Sequence, residues 1–212
     1  MNLKGFNLYN QLWLNHKIKK PIVIFIGGYC GTGKSTFAKE VKNNLTESIV
    51  IPTGIIRSIS MSFIKTNLIN LHTYDLYQLT RDPKNIFKLY KKQVKLLYQP
   101  LKHIADFAQT EMQNYIIEGN HVFPDFFKKF KEDNYISVFF KCSDEIQFIK
   151  NLSGDNHPRM LNQDQITTAK MLNQKTIDEI IENHKEMFEY YEIEKAIKFI
   201  DSEITKKITL LI

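Results

Sequence analysis

Residues 22–36 read Ile-Val-Ile-Phe-Ile-Gly-Gly-Tyr-Cys-Gly-Thr-Gly-Lys-Ser-Thr, which is G-x-x-x-x-G-K-[ST] directly behind an apolar, mostly β-branched run. Strand, glycine-rich turn and helix in that order form a phosphate-binding loop, and this one segment constrains the fold more than any other. Gly28, Gly31 and Gly33 open backbone conformations closed to other residues, so successive N–H groups converge on phosphate oxygens at the start of the next helix. In such a loop Lys34 reaches the β- and γ-phosphates of ATP and the Ser35 hydroxyl ligates Mg²⁺, with Thr32 and Thr36 completing the nucleotide-binding set. Cys30 occupies one of the free positions and reads as a small filler.

A chain of 212 residues, 43% hydrophobic and 12% aromatic, is long and apolar enough for one domain over residues 1–212 with a sizeable core. Its net charge of +6 suits an anionic ligand. The lysines are scattered along helical segments, without an aromatic-rich basic stretch, so a nucleic-acid partner is not expected. Cys30 and Cys142 make neither a disulfide framework nor a C-x-x-C pair, which suits a reducing, cytoplasmic setting. In residues 1–20, Leu3, Phe6, Tyr9 and Trp13 alternate too often with polar groups for a signal or a membrane span. They predict a lead-in helix packed on the domain.

The rest of the chain alternates apolar runs with helical periodicity. Strands are expected at 22–26, 48–52, 115–119, 136–140 and 197–200, with helices between them. The segment 85–114 reads as two helices or one kinked helix, interrupted at Pro100. A long helix has Ile177, Ile181, His184, Phe188 and Tyr191 on one face, and a terminal helix runs through Leu210 and Leu211. Residues 152–165 are dense in turn formers and read as a lid-like loop. The pattern predicts a three-layer α/β fold of the P-loop NTPase type, like the nucleoside monophosphate kinases, around a five-stranded parallel sheet, with phosphates bound at the carboxyl ends of the strands.

Four further positions fall on that edge. Arg57 stands near a helix start after Ile-Pro-Thr-Gly, where its fork suits an anionic acceptor. Glu118 ends the third strand, where a carboxylate can hold Mg²⁺ or orient an acceptor, and His121 follows it as a base or as a hydrogen-bonded structural residue. Arg159, in the lid-like loop beside His157 and Pro158, is placed to bring positive charge to a transferring phosphoryl group.

The order Ile-Gly-Gly-x-x-Gly-Thr-Gly-Lys-Ser-Thr, Ile-Pro-Thr-x-x-Ile-Arg, Leu-His-Thr and Ile-Ile-Glu-Gly-x-His-x-x-Pro resembles the P-loop kinases typified by 2-phosphoglycerate kinase. The resemblance spans most of the chain from about Pro21, and residues 118–124 are its most specific part. It implies transfer of the ATP γ-phosphate to a small anionic metabolite such as 2-phosphoglycerate; with the readings of the phosphate loop and the lid-like loop above, the expected catalytic residues are Lys34, Arg57, Glu118 and Arg159. By the same resemblance Arg57, Glu118 and His121 line the acceptor pocket. Two departures stand out: the family usually has an aspartate where this chain has Gly54, and its lid is richer in arginine. Without that aspartate, another carboxylate such as Asp75 or Glu118 serves as base, or the acceptor is a nucleoside monophosphate, or the chain is an ATP-binding switch with little transfer. A GTPase is disfavoured because no Asn-Lys-x-Asp motif occurs.

Overall fold

The computed structural model describes residues 2–153 and 160–212. Strands Val23–Gly27 (β1), Ser48–Pro52 (β2), Asn114–Glu118 (β3), Tyr135–Lys141 (β4) and Met187–Glu189 (β5) form a sheet in the order β2-β3-β1-β4-β5. Every pairing in it is parallel. The helices are Lys4–Leu14 (α1), Lys34–Asn44 (α2), Thr53–Ser60 (α3), Asn67–Asn70 (α4), Pro83–Leu96 (α5), Tyr98–Glu111 (α6), Pro124–Lys129 (α7), Glu145–Leu152 (α8), Gln163–Glu182 (α9) and Ile193–Leu211 (α10). A 3-10 turn covers Thr73–Gln78.

Strands β1 and β3 are buried at all five positions, so alternate side chains feed two separate cores. Ile22, Ile24 and Ile26 meet α1, α2 and α10 on one face, and Val23 and Phe25 meet the helices between β2 and β5 on the other. Helices on both faces of a parallel sheet make this a three-layer α/β fold. Phe25 anchors the second core, its ring centroid 5.0–5.3 Å from those of Phe126, Phe127 and Tyr135. Such pairs contribute about 0.5–1.5 kcal/mol each beyond their buried area.

The lead-in segment is helical, as expected, and a buried asparagine ties it to the sheet. Asn114 Oδ1 accepts from Tyr9 Oη at 2.6 Å and from the Ile22 amide at 3.1 Å, while its Nδ2 donates to the Thr46 carbonyl at 3.0 Å. A buried amide so satisfied fixes α1, β1 and β3 in one register.

Three sequence expectations are corrected. The fifth strand is not at 197–200, which lies within α10; Ile197, Ile200, Ile204, Ile208 and Leu211 are all buried there at helical spacing. The strand is instead Met187–Glu189, inside the segment expected to continue the long helix, which ends at Glu182. A short apolar run carries no period of its own, so it reads equally well as strand or helix. The break between α5 and α6 comes at Leu97 and not at Pro100, which lies in the first turn of α6 where its missing N–H costs no intrahelical bond. At 152–165, Leu152 ends α8 and Gln163 begins α9 under an Asn162–Gln165 capping box, so both ends of the expected loop are helical, and 154–159 lie outside the described residues.

The register places Ile26, Glu118 and Pro52 opposite one another, so β1, β3 and β2 leave the sheet at one level. Gly119 makes that close approach possible. Its φ is +148°, and a Cβ there would lie 1.9 Å from Thr53 Oγ1 and 2.9 Å from Thr53 Cβ. Gly119→Ala is therefore expected to cost roughly 1–3 kcal/mol by overpacking, with backbone strain added. Thermal unfolding checks it, at about 2–4 °C per kcal/mol for a chain of this size. An unchanged melting temperature would mean that Thr53 and the end of β3 separate freely.

Candidate functional site

The turn between β1 and α2 has the conformation the motif demands. Gly28, Gly31 and Gly33 have φ of +123°, +79° and +80°. At Gly28 a Cβ would stand 2.1 Å from the Phe140 carbonyl at the end of β4, so no side chain fits there. Among the described residues no side chain caps α2, and its first turn holds no acid, so its N–H groups and the positive end of its dipole suit an anion. Among the motif's side chains, Thr32 is buried and its hydroxyl donates to the Tyr29 carbonyl at 2.8 Å, whereas Thr36 is exposed on the first turn. Lys34 is buried, with Nζ donating to the Tyr29 carbonyl at 2.5 Å and lying 3.4 Å from Thr32 Oγ1.

Ser35 and Glu118 meet across the sheet edge, Ser35 Oγ donating to Glu118 Oε1 at 3.0 Å. A hydroxyl and a buried carboxylate on adjacent elements beside an uncapped helix start suit a hard, oxygen-seeking cation held between them and phosphate oxygens. Their oxygen chemistry fits Mg²⁺.

On the β2 side, His121 is buried and its Nδ1 lies 3.1 Å from Thr53 Oγ1, joining the loop after β3 to the start of α3. Its Nε2 is buried without a hydrogen-bond partner among the described residues. Burial first, then the charges of Arg57 and Lys34, hold its pKa down to about 3. At that value the ring is neutral in the physiological range and too weak a base to accept a hydroxyl proton efficiently. Stability should respond to pH accordingly. The unfolded histidine takes up a proton near pH 6.5 and the folded one does not, so the stabilisation is complete above 6.5 and is lost as pH falls toward about 3. His121→Gln is expected to remove a slope of about 1.4 kcal/mol per pH unit in that window, read from denaturant unfolding at several pH values. An equal acid sensitivity in both proteins would assign the effect to other groups.

Arg57 is half-buried in α3, and Nη1 donates to the carbonyls of Ile69 at 3.1 Å and Leu71 at 2.8 Å. Nη2 lies 3.4 Å from His72 Nδ1. Burial lowers its pKa, offset in part by Tyr74, Cys30 and Asp75, and the guanidinium stays charged. Part of the fork thus fixes the C-terminal end of α4, a use the sequence reading missed. Asp75 accepts from Gln165 Nε2 at 2.7 Å and ties the 3-10 turn to α9, so that carboxylate is engaged structurally. Gly54 is the second residue of α3, not at positive φ, with nothing within 4 Å of where a Cβ would be. Arg159, with His157 and Pro158, lies outside the described residues.

The structure therefore brings Lys34, Ser35 and Glu118 together and sets Thr53, His121 and Arg57 beside them on the same edge. Two contributors escaped the sequence reading. Thr53 is buried against Gly119 and His121, and Thr73 accepts from Asn120 Nδ2 at 3.4 Å and lies 3.0 Å from Tyr29 Oη, bracing the phosphate loop. Both stood inside the quoted Ile-Pro-Thr and Leu-His-Thr segments, where no role was assigned to them.

No protein-family model matches the chain. It is 30% identical over 131 residues to the 2-phosphoglycerate kinase of Methanocaldococcus jannaschii, covering 59% of this chain and 42% of that one. The Thermococcus kodakarensis protein of the same name is 31% identical over 126 residues, covering 57% and 43%. The Pyrococcus horikoshii one is 34% identical over 118 residues, covering 53% and 39%. The tunicamycin resistance protein of Deinococcus radiodurans superposes with a TM-score of 0.47 at 12% identity, covering 89% of this chain and 96% of that one. The matches span less than half the length of these curated relatives, and over that span the chain is similar to archaeal 2-phosphoglycerate kinases.

Proposed function

We propose that the chain is an ATP-dependent kinase that phosphorylates the hydroxyl of a small anionic metabolite, a phosphorylated hydroxy acid of the 2-phosphoglycerate type. The observation that carries this is the Ser35–Glu118 contact, which joins the phosphate loop to the end of β3 with Arg57 and His121 beyond it. The names of the similar archaeal proteins support the acceptor class. Mg²⁺, held by Ser35 and Glu118, would neutralise charge on the phosphates. The first-turn amides of α2 orient the triphosphate, and Lys34 leaves the Tyr29 carbonyl to meet charge developing on the transferred group. The free part of the Arg57 fork positions the acceptor, and the neutral imidazole of His121 supports the pocket without removing a proton.

One observation favours a second reading. The first turn of α3 carries no acid, so a nucleoside monophosphate, already an anionic nucleophile, also suits the site. Incubating the protein with labelled ATP, Mg²⁺ and a panel of acceptors tests both. Transfer to the hydroxy acid sustains the proposal, transfer to a nucleotide replaces it with the second, and ATP binding without transfer leaves a switch protein.

Arg57→Ala refines the assignment. Losing a charged hydrogen bond costs about 1.5–3 kcal/mol, so the acceptor KM is expected to rise roughly 10- to 100-fold with the ATP KM unchanged. Equal weakening of both ligands would place Arg57 in the nucleotide site.

A further inference from the structure

Helix α5 carries Lys84, Lys88, Lys91, Lys92 and Lys95 and no acidic residue. The chain holds 29 basic against 23 acidic residues, and without α5 the balance is 24 against 23. The excess charge sits in two stretches, residues 1–39 with six lysines and no acid and helix α5 with five and none, while the rest of the chain is net acidic. Lys84, Lys88, Lys92 and Lys95 are exposed on its outer face, opposite the buried Ile86, Tyr90, Gln93 and Val94. Lys91 pairs with Glu179 at 2.5 Å and Asp125 at 3.7 Å, and among the described residues the other four are in no ion pair. A shallow groove of about 430 Å³ runs along the row, lined by Lys88, Lys91, Lys92, Lys95 and Leu96. Like charges four apart on a helix destabilise it by about 0.2–0.5 kcal/mol per pair, so the row works against the fold it belongs to. Local conflicts of that kind concentrate where a partner offsets them.

We propose that this face of α5 binds the phosphodiester backbone of a single nucleic-acid strand without reading its bases. The reading goes beyond the kinase site and does not rest on it. The row spans about 16 Å at 1.5 Å per residue, a straight line of point charges suited to one backbone. Lysine is depleted at protein–protein interfaces, which argues against an acidic protein partner. A membrane surface would require exposed apolar residues among the lysines, and Phe87, Leu89 and Leu96 are only half-exposed. No exposed aromatic ring stands in the row, so base stacking is not available and binding is electrostatic.

Fluorescence anisotropy of a labelled mixed-sequence single-stranded oligonucleotide tests this. Four phosphate contacts predict a log–log salt slope near −3, a loss of about 50-fold between roughly 50 and 200 mM salt. The variant K84Q/K88Q/K92Q/K95Q should lose at least about tenfold in affinity and most of the slope, with melting temperature and ATP binding unchanged. Should it not fold, K84Q/K88Q and K92Q/K95Q separately should each remove about half the slope. Absent binding at low salt, an unaltered slope in the variants, or preference for polyglutamate or phosphatidylserine vesicles of equal charge would overturn the proposal.

Discussion

Lys34→Ala is expected to slow phosphoryl transfer by about 10²–10³-fold while leaving the fold intact. Lys34 is the cation at the start of α2, in the loop that cradles phosphates, and removing one donor that meets transition-state charge typically costs about 2.7–4 kcal/mol. Its present contacts explain why the fold should survive. The Tyr29 carbonyl that Nζ meets also accepts from Thr32 Oγ1 at 2.8 Å, so truncation leaves that carbonyl satisfied. The loss should fall on kcat more than on the KM for ATP, because the backbone amides and α2 still hold the nucleotide. Single-turnover kinetics with an unchanged thermal melt would bear this out. Wild-type turnover in the variant would mean that chemistry takes place elsewhere.

What was legible in the sequence follows from where local chemistry decides the outcome. The phosphate loop was readable because its glycines answer to backbone geometry and its Lys34 and Ser35 to helix position, with little tertiary context needed. Strands β1 to β4 were readable because each is a continuous apolar run between turn formers. Strand β5 was not: it is three residues long and is defined by pairing with β4, a long-range fact. The site divides in the same way. Glu118 announced itself as a carboxylate ending a strand, but its bond to Ser35 depends on strand order, and β3 lies next to β1 only because the chain crosses over between them. Arg57 was correctly placed on α3, yet its hold on the Ile69 and Leu71 carbonyls arises from the end of α4 folding back on α3, which no periodicity reveals. The lysine row illustrates the converse. Its spacing was present in the sequence, and it became a single charged face once α5 was known to start at Pro83.

Gly54→Asp is expected to raise turnover of a hydroxy-acid acceptor by about 10²-fold, the low end of what general-base assistance contributes. The position lies two residues beyond the end of β2, on the edge that also holds Glu118, and the resemblance to 2-phosphoglycerate kinases sets an aspartate there. Backbone strain does not complicate the reading. Gly54 is helical, its φ is not positive, and a Cβ would meet nothing within 4 Å. Stability should hold or rise, because glycine inside a helix costs up to about 1 kcal/mol. A carboxylate in a first turn that has none also favours the helix dipole by about 0.3–1 kcal/mol. Activity and stability are therefore separable in one variant. Should turnover fall while the melting temperature holds, the new charge is repelling an anionic nucleophile, and the acceptor is a phosphate and not a hydroxyl. Should both stay level, the base lies elsewhere; Asp75 is occupied by Gln165 and His121 is too weak a base, which leaves Glu118 as the carboxylate already at the strand edge. Glu118→Gln in the Gly54→Asp background then decides the matter. A relocated base predicts that the introduced carboxylate restores part of the rate lost with Glu118, whereas a purely Mg²⁺-holding Glu118 predicts no rescue at all.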